Sequence, residues 1–122
     1  DRPLPLVLYP PRSITRAAVL SALTRVDVAW RIVCTCGSLS GLVGAVGGGL
    51  GVGAQSSRLR ADGVVALGPE HGLPSLGETE FVVVPAIGRP PAPVEALAET
   101  IVHCGRDFWA EAAIVETRIG ES

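Results

Sequence analysis

Apolar positions along this chain follow two rhythms, one of buried strands and one of helices. Residues 5–10, PLVLYP, form a short apolar run closed by prolines, which predicts a buried strand. Val19, Ala22, Leu23 and Val26 then recur at i, i+3, i+4 and i+7, the spacing of one helix face, with Ser13 placed to cap its start and Asp27 ending the pattern. Residues 30–36, WRIVCTC, are β-branched and partly alternating, so they predict a second strand. Gly37 breaks that strand and Ser38 can cap the next helix, where Leu39, Leu42, Val43 and Val46 repeat the helical stripe. Gly47, Gly48 and Gly49 should stop this helix, one of them in the left-handed C′ conformation.

The second half returns to strands. Leu50, Val52 and Ala54 should share one strand face, with Gly51 and Gly53 on the other, a pattern that signals close approach of another backbone or a ligand. After the polar loop SSRLRADG, residues 64–67, VVAL, predict a short strand. GPEHGLPSLGE then reads as a turn-rich connection. The strongest strand pattern is TEFVVVPAI, residues 79–87. GRPPAP then leads into a helix expected to bury Val94, Leu97, Ala98 and Ile101, with proline and Glu95 suiting its first turn. RDFWAEAAIVETRIGES, residues 106–122, fits a short terminal helix or a tail. The order β-α-β-α-β-β-β-α argues for an α/β layer with a partly parallel sheet.

Composition narrows the chemistry. The chain has 122 residues, 48% of them hydrophobic, which suits one domain with a real core or a piece of a larger one. Its net charge is −2 and no basic stretch stands out, so a nucleic-acid-binding surface is not expected within it. All 10 basic residues are arginine, which removes a phosphate-loop lysine, a Schiff-base lysine and a Ser–Lys dyad. No signal peptide and no membrane-spanning run is visible. Three cysteines without a secreted-type framework suggest reduced thiols and a cytoplasmic protein. The chain opens on Asp1 and contains no Met, so it reads as a piece of a longer protein.

The glycine-rich stretch LVGAVGGGLGVGAQ, residues 42–55, raises the question of a nucleotide site. A dinucleotide fingerprint needs glycines at i, i+2 and i+5, following a strand and opening a helix. Starting at Gly47, Gly49 or Gly51 puts Val52, Ala54 or Ser56 last, and here a helix precedes the glycines while a strand follows. Cys34, Cys36, His103 and Cys104 are the only set resembling zinc ligands. A C-x-C pair on one strand face suits core packing equally well, and His103 should face solvent with Cys104 on the flank, so buried structural thiols are the expectation. A thiol nucleophile with His71 or His103 as its base has little support, and no G-x-S-x-G elbow occurs. No metal and no cofactor is expected. The coherent feature is instead a pair of Ser-capped helices, each following a strand. Helix N-termini offer free N–H groups and partial positive charge to a small anion, Arg12 and Arg16 could add charge, and α/β sheets collect ligands at the carboxyl ends of their strands.

Three stretches together, PLPLVLYPPRSITRAAVLSAL, WRIVCTCGSLSGLVGAVGGGLGV and ALGPEHGLPSLGETEFVVV…GRPPAPVEALAETI, resemble the C-terminal effector-binding (substrate-binding) part of LysR-type transcriptional regulators. The match runs from about Pro3 to Gly105. The resemblance implies an α/β fold of the type 2 periplasmic-binding-protein-like kind. This chain would supply mostly the second subdomain, plus the returning strand and C-terminal helix of the first. Residues 1–80 would then belong to the second subdomain, 81–105 to the crossover strand (residues 80–84) and the helix packed on the first subdomain, and 106–122 to a tail or short helix.

Carried onto this sequence, the effector contacts would be Pro11, Arg12, Ser13 and Ile14 after YP, and Gly37, Ser38 and Leu39 at the next helix start. Family members commonly read G-L-G-V-x-x-x-P after the glycines, whereas Ser56 stands at the proline position here. The implied protein is not an enzyme. It senses a small-molecule effector, and the capped helix ends suit a carboxylate or another small anion there. It self-associates as a dimer or tetramer, meets DNA only through a winged helix-turn-helix lying outside this chain, and has no membrane partner. A solute-binding receptor of a transporter and a small zinc or thiol enzyme are the alternatives.

Overall fold

A computed structural model describes residues 2–57, 61–78, 82–106 and 112–117, the last as backbone. Strand β1 (Leu4–Leu8) leads into helix α1 (Ile14–Arg25), then β2 (Trp30–Thr35), α2 (Leu39–Gly47), β3 (Val52–Ser56) and β4 (Val64–Leu67). A 3₁₀ turn (Pro69–His71), helix α3 (Ala92–Gly105) and strand β5 (Ala112–Thr117) complete the order. The sheet runs β2-β1-β3-β5-β4. Strand β1 pairs parallel with both β2 and β3, while β5 pairs antiparallel with β3 and β4.

The proline-bounded run becomes the central strand of the parallel trio because both of its faces can be buried. Leu6 and Leu8 pack with Val19 and Leu23 of α1 and with Val52 and Ala54 of β3. Val7 points the other way, into a second cluster with Cys36 and with Leu42 and Val46 of α2. The two helices therefore cover opposite faces, as expected when successive crossovers run from β1 outward to β2 and then back past β1 to β3.

The helix boundaries follow the sequence signals. Ser13 caps α1, its side chain accepting from the Arg16 N–H at 3.3 Å. Val19, Ala22 and Leu23 are buried as the stripe predicts, while Val26 falls at the C-cap and is 48% exposed. Asp27 follows in the left-handed region at φ 56°. Helix α2 ends in a Schellman arrangement. Gly49 takes φ 77°, its N–H donates to the Val46 carbonyl at 2.9 Å, and the Leu50 N–H donates to the Ala45 carbonyl at 3.1 Å. Leu50 consequently lies before β3 and stays exposed rather than joining Val52 and Ala54.

The close-approach reading of the strand glycines holds. A Cβ at Gly51 would sit 2.5 Å from the Pro5 carbonyl oxygen, and one at Gly53 2.9 Å from Val46 Cγ2. Periodicity does not reveal that the β1–β2 register shifts between Leu6 and Val7, so that Leu6 faces Ile32 but Val7 faces Cys34. This bulge makes Val33 the extra residue of β2.

Three expectations need correction. Residues 82–87, the described part of the predicted TEFVVVPAI strand, form no strand, and Val82 and Val84 are exposed; residues 79–81 lie outside the described residues. An apolar run marks a segment able to pair without saying which edge it meets, and the edge of β3 is taken by β5 instead. The segment expected as tail or helix contains β5 at Ala112–Thr117, with residues 107–111 and 118–122 outside the described residues. AAIVET carries too few residues to separate strand from helix by period. Finally, α3 forms as predicted but buries nothing: Val94, Leu97 and Ile101 are all exposed. Periodicity reports an apolar face, not whether a partner covers it.

Candidate functional site

Because β1 and β2 run parallel, the loops leaving them reach the same carboxyl edge of the sheet. Both loops end in a serine cap. Ser38 accepts from the Gly41 N–H at 3.1 Å, and its Oγ also lies 3.3 Å from Ser40 Oγ. The N-termini of α1 and α2 thus approach one edge from opposite faces. The backbone N–H groups of their first turns are the ones a helix leaves without internal partners.

Each residue expected at the site is found at this edge. Pro11 and Arg12 form the exposed turn after β1, with the Ser13 N–H donating to the Pro10 carbonyl at 3.0 Å. Ser13 is half-buried and Ile14 projects, 71% exposed. Gly37, Ser38 and Leu39 are exposed at the start of α2. Arg16 has a structural role, because its Nη1 donates to the Tyr9 carbonyl at 3.0 Å and fastens α1 to the end of β1. Arg12 is therefore the cation of this turn still turned outward.

A row of uncharged polar side chains lies just inside this edge, on the α2 face. The Cys36 N–H donates to the Leu8 carbonyl at 2.8 Å, which sets Cys36 beside Tyr9. Cys34 and Cys36 approach to 3.6 Å between sulfurs and are free thiols, packed around Val7 and α2 as structural cysteines. Burial, the hydrogen bond to Cys34 and its charge together push the Cys36 thiol up. Burial and then Cys36 raise the Tyr9 phenol. Cys104 is exposed on α3, and the described residues contain no group of three or more His, Cys, Asp or Glu able to hold a metal. His71 is turned to its own loop, 3.0 Å from Glu70, and does not meet a thiol.

Sequence reasoning missed Gln55. It is 3% exposed on β3, and among the described residues neither Nε2 nor Oε1 has a hydrogen-bond partner. The available signal was a lone carboxamide inside an otherwise small and apolar strand, VGAQS.

A mixed α/β sheet whose strands β2, β1 and β3 run parallel, with two capped helix ends at their carboxyl edge, belongs to the class of open α/β folds that collect ligands at that edge. Residues 2–104 match the family model of the LysR substrate binding domain, and the chain belongs to that family. The family is one of binding domains and not of enzymes. The chain is also similar to the HTH-type transcriptional regulator PecT of Dickeya dadantii (strain 3937), with 34% identity over 76 residues. That match covers 62% of this chain and 24% of the relative, so the chain spans about a quarter of the relative it matches. No helix among the described residues is long and apolar enough to cross a membrane.

Proposed function

We propose that this chain is the effector-sensing part of a LysR-type bacterial transcriptional regulator, and that a small carboxylate binds at the carboxyl edge between the two capped helices. The convergence of the Ser13 and Ser38 helix ends on one sheet edge carries this reading. Leu39, Ser40, Ile14 and Thr15 supply first-turn N–H groups. Arg12 adds a mobile positive charge, and Pro11 and Gly37 let the backbone turn close to the ligand.

In this reading the fold is of the type 2 periplasmic-binding-protein-like kind. Residues 1–80 form the second subdomain, and residues 81–105 pass back to the first and pack on it. The exposed face of α3 supports that division, since Val94, Leu97 and Ile101 need a cover. The regulator acts in the cytoplasm and contacts DNA through a winged helix-turn-helix outside this chain. Ligand closure couples to that domain through oligomer contacts by a differential affinity of about 1–3 kcal/mol.

A thermal-shift screen of small carboxylates tests the site. Hits are expected to lose affinity about tenfold in Arg12→Ala or Ser13→Ala, by loss of a charge-assisted contact. Unchanged affinity in both variants contradicts the assignment.

A further inference from the structure

We infer that Gln55 is a specificity residue of this ligand edge, reading an uncharged donor–acceptor group, of the carboxamide type, on a carboxylate ligand; the inference rests on the site proposed above. Three observations converge on it. First, a buried carboxamide with both polar atoms unpaired is less stable than a leucine of similar length, so a residue kept in that state points to a partner that the described residues do not supply. Second, its position is defined. Gly53 packs under Leu42 and Val46, so the same strand face is covered by α2, and Gln55 lies two residues further toward the carboxyl edge, roughly 7 Å nearer the Ser38 end of that helix. Third, the parallel pairing of Val7 with Gly53, carried two residues on, sets Gln55 level with Tyr9, which in turn neighbours Cys36.

The chemistry of that row selects the ligand group. Among the described residues, Cys36, Tyr9 and Gln55 carry no charge at neutral pH, and the cluster around the first two holds Cys34, Val7, Leu42 and Val46, likewise uncharged or apolar. A second carboxylate there would meet a desolvated, uncharged surface. A carboxamide is matched instead, accepting from Nε2–H and donating to Oε1 while the ligand's own carboxylate stays at the helix ends.

Succinamate and butyrate make a matched probe pair, both four-carbon monocarboxylates, one ending in a carboxamide and the other in a methyl. Titration of the full chain followed by NMR is expected to show succinamate binding about tenfold more tightly than butyrate, the worth of a buried hydrogen-bonded pair. Gln55→Leu should erase that preference while leaving butyrate affinity within about twofold. In the unsubstituted chain the Gln55 side-chain amide resonances should move with succinamate and stay with butyrate, a readout independent of any variant's folding. A preference retained in Gln55→Leu, or no preference in the original chain, overturns the inference. If both probes still weaken in Ser38→Ala, the ligand edge survives that result. If neither probe binds the original chain, the edge and the role of Gln55 fail together.

Discussion

Individual residues carry two sharp consequences. Gly51 has no room for a methyl group, since its Cβ would meet the Pro5 backbone, whereas Gly53 abuts chiefly the side chains of Val46 and Leu42. Gly51→Ala is therefore expected to cost about 1–3 kcal/mol in urea denaturation, and Gly53→Ala less, because backbone yields less readily than side chains. The reverse order would mean that β1 and β3 are not held as closely as described. The thiols give a second test. Cys36 has a raised pKa when folded, so the stability this adds is full below the ordinary thiol value of about 9.0 and is lost as pH rises through the raised one. Melting temperature should fall above that pH, and fall less in Cys36→Ala. With Ellman's reagent at pH 8, exposed Cys104 should react first and buried Cys36 last. Residue-scale features were partly legible in sequence. The caps and the glycine stop are chemical signals that act locally, so Ser13, Ser38 and Gly49 could be read off. The orphaned state of Gln55 could not, because satisfaction of a buried amide depends on neighbours distant in sequence.

At the scale of elements, α1 and α2 depend on their serine caps. Ser38→Ala should lower stability by about 1 kcal/mol, and Ser13→Ala by a similar amount, measured by equilibrium unfolding. An effect near zero would indicate that the first turn is satisfied by other groups. β1, α1, α2 and β3 were predictable because each buries its own apolar face within one compact unit, and β2, a mostly exposed edge strand, because its β-branched run ends at Gly37. Residues 82–87 and 112–117 were not, for a common reason. Strand formation requires a partner edge, and which segment takes the edge of β3 is a competition between distant parts of the chain that hydrophobic pattern does not register. AAIVET occupies that edge although FVVVPAI is the more apolar run. The β2 bulge is similar: a single extra residue shifts the pairing at Cys34 while leaving the composition of WRIVCT unremarkable as a strand.

For the whole molecule, the α3 face assigned above to the first subdomain has no cover within this chain alone, and an uncovered apolar face favours association of the isolated chain with another copy. Sedimentation is expected to show a dimer or larger species that shifts toward monomer in a Leu97→Glu, Ile101→Glu double variant; monomer alone at high concentration contradicts the proposed self-association. The function proposed above stands or falls on small carboxylates binding where the two capped helices meet the carboxyl edge of the sheet. Backbone amide shift mapping on the full chain during a carboxylate titration addresses this without any substitution. Saturable shifts are expected, concentrated at residues 12–16 and 38–41. Shifts that saturate elsewhere, for example along the open groove between Val83, Pro85 and the α3 residues Ala98, Val102 and His103, would contradict the proposal.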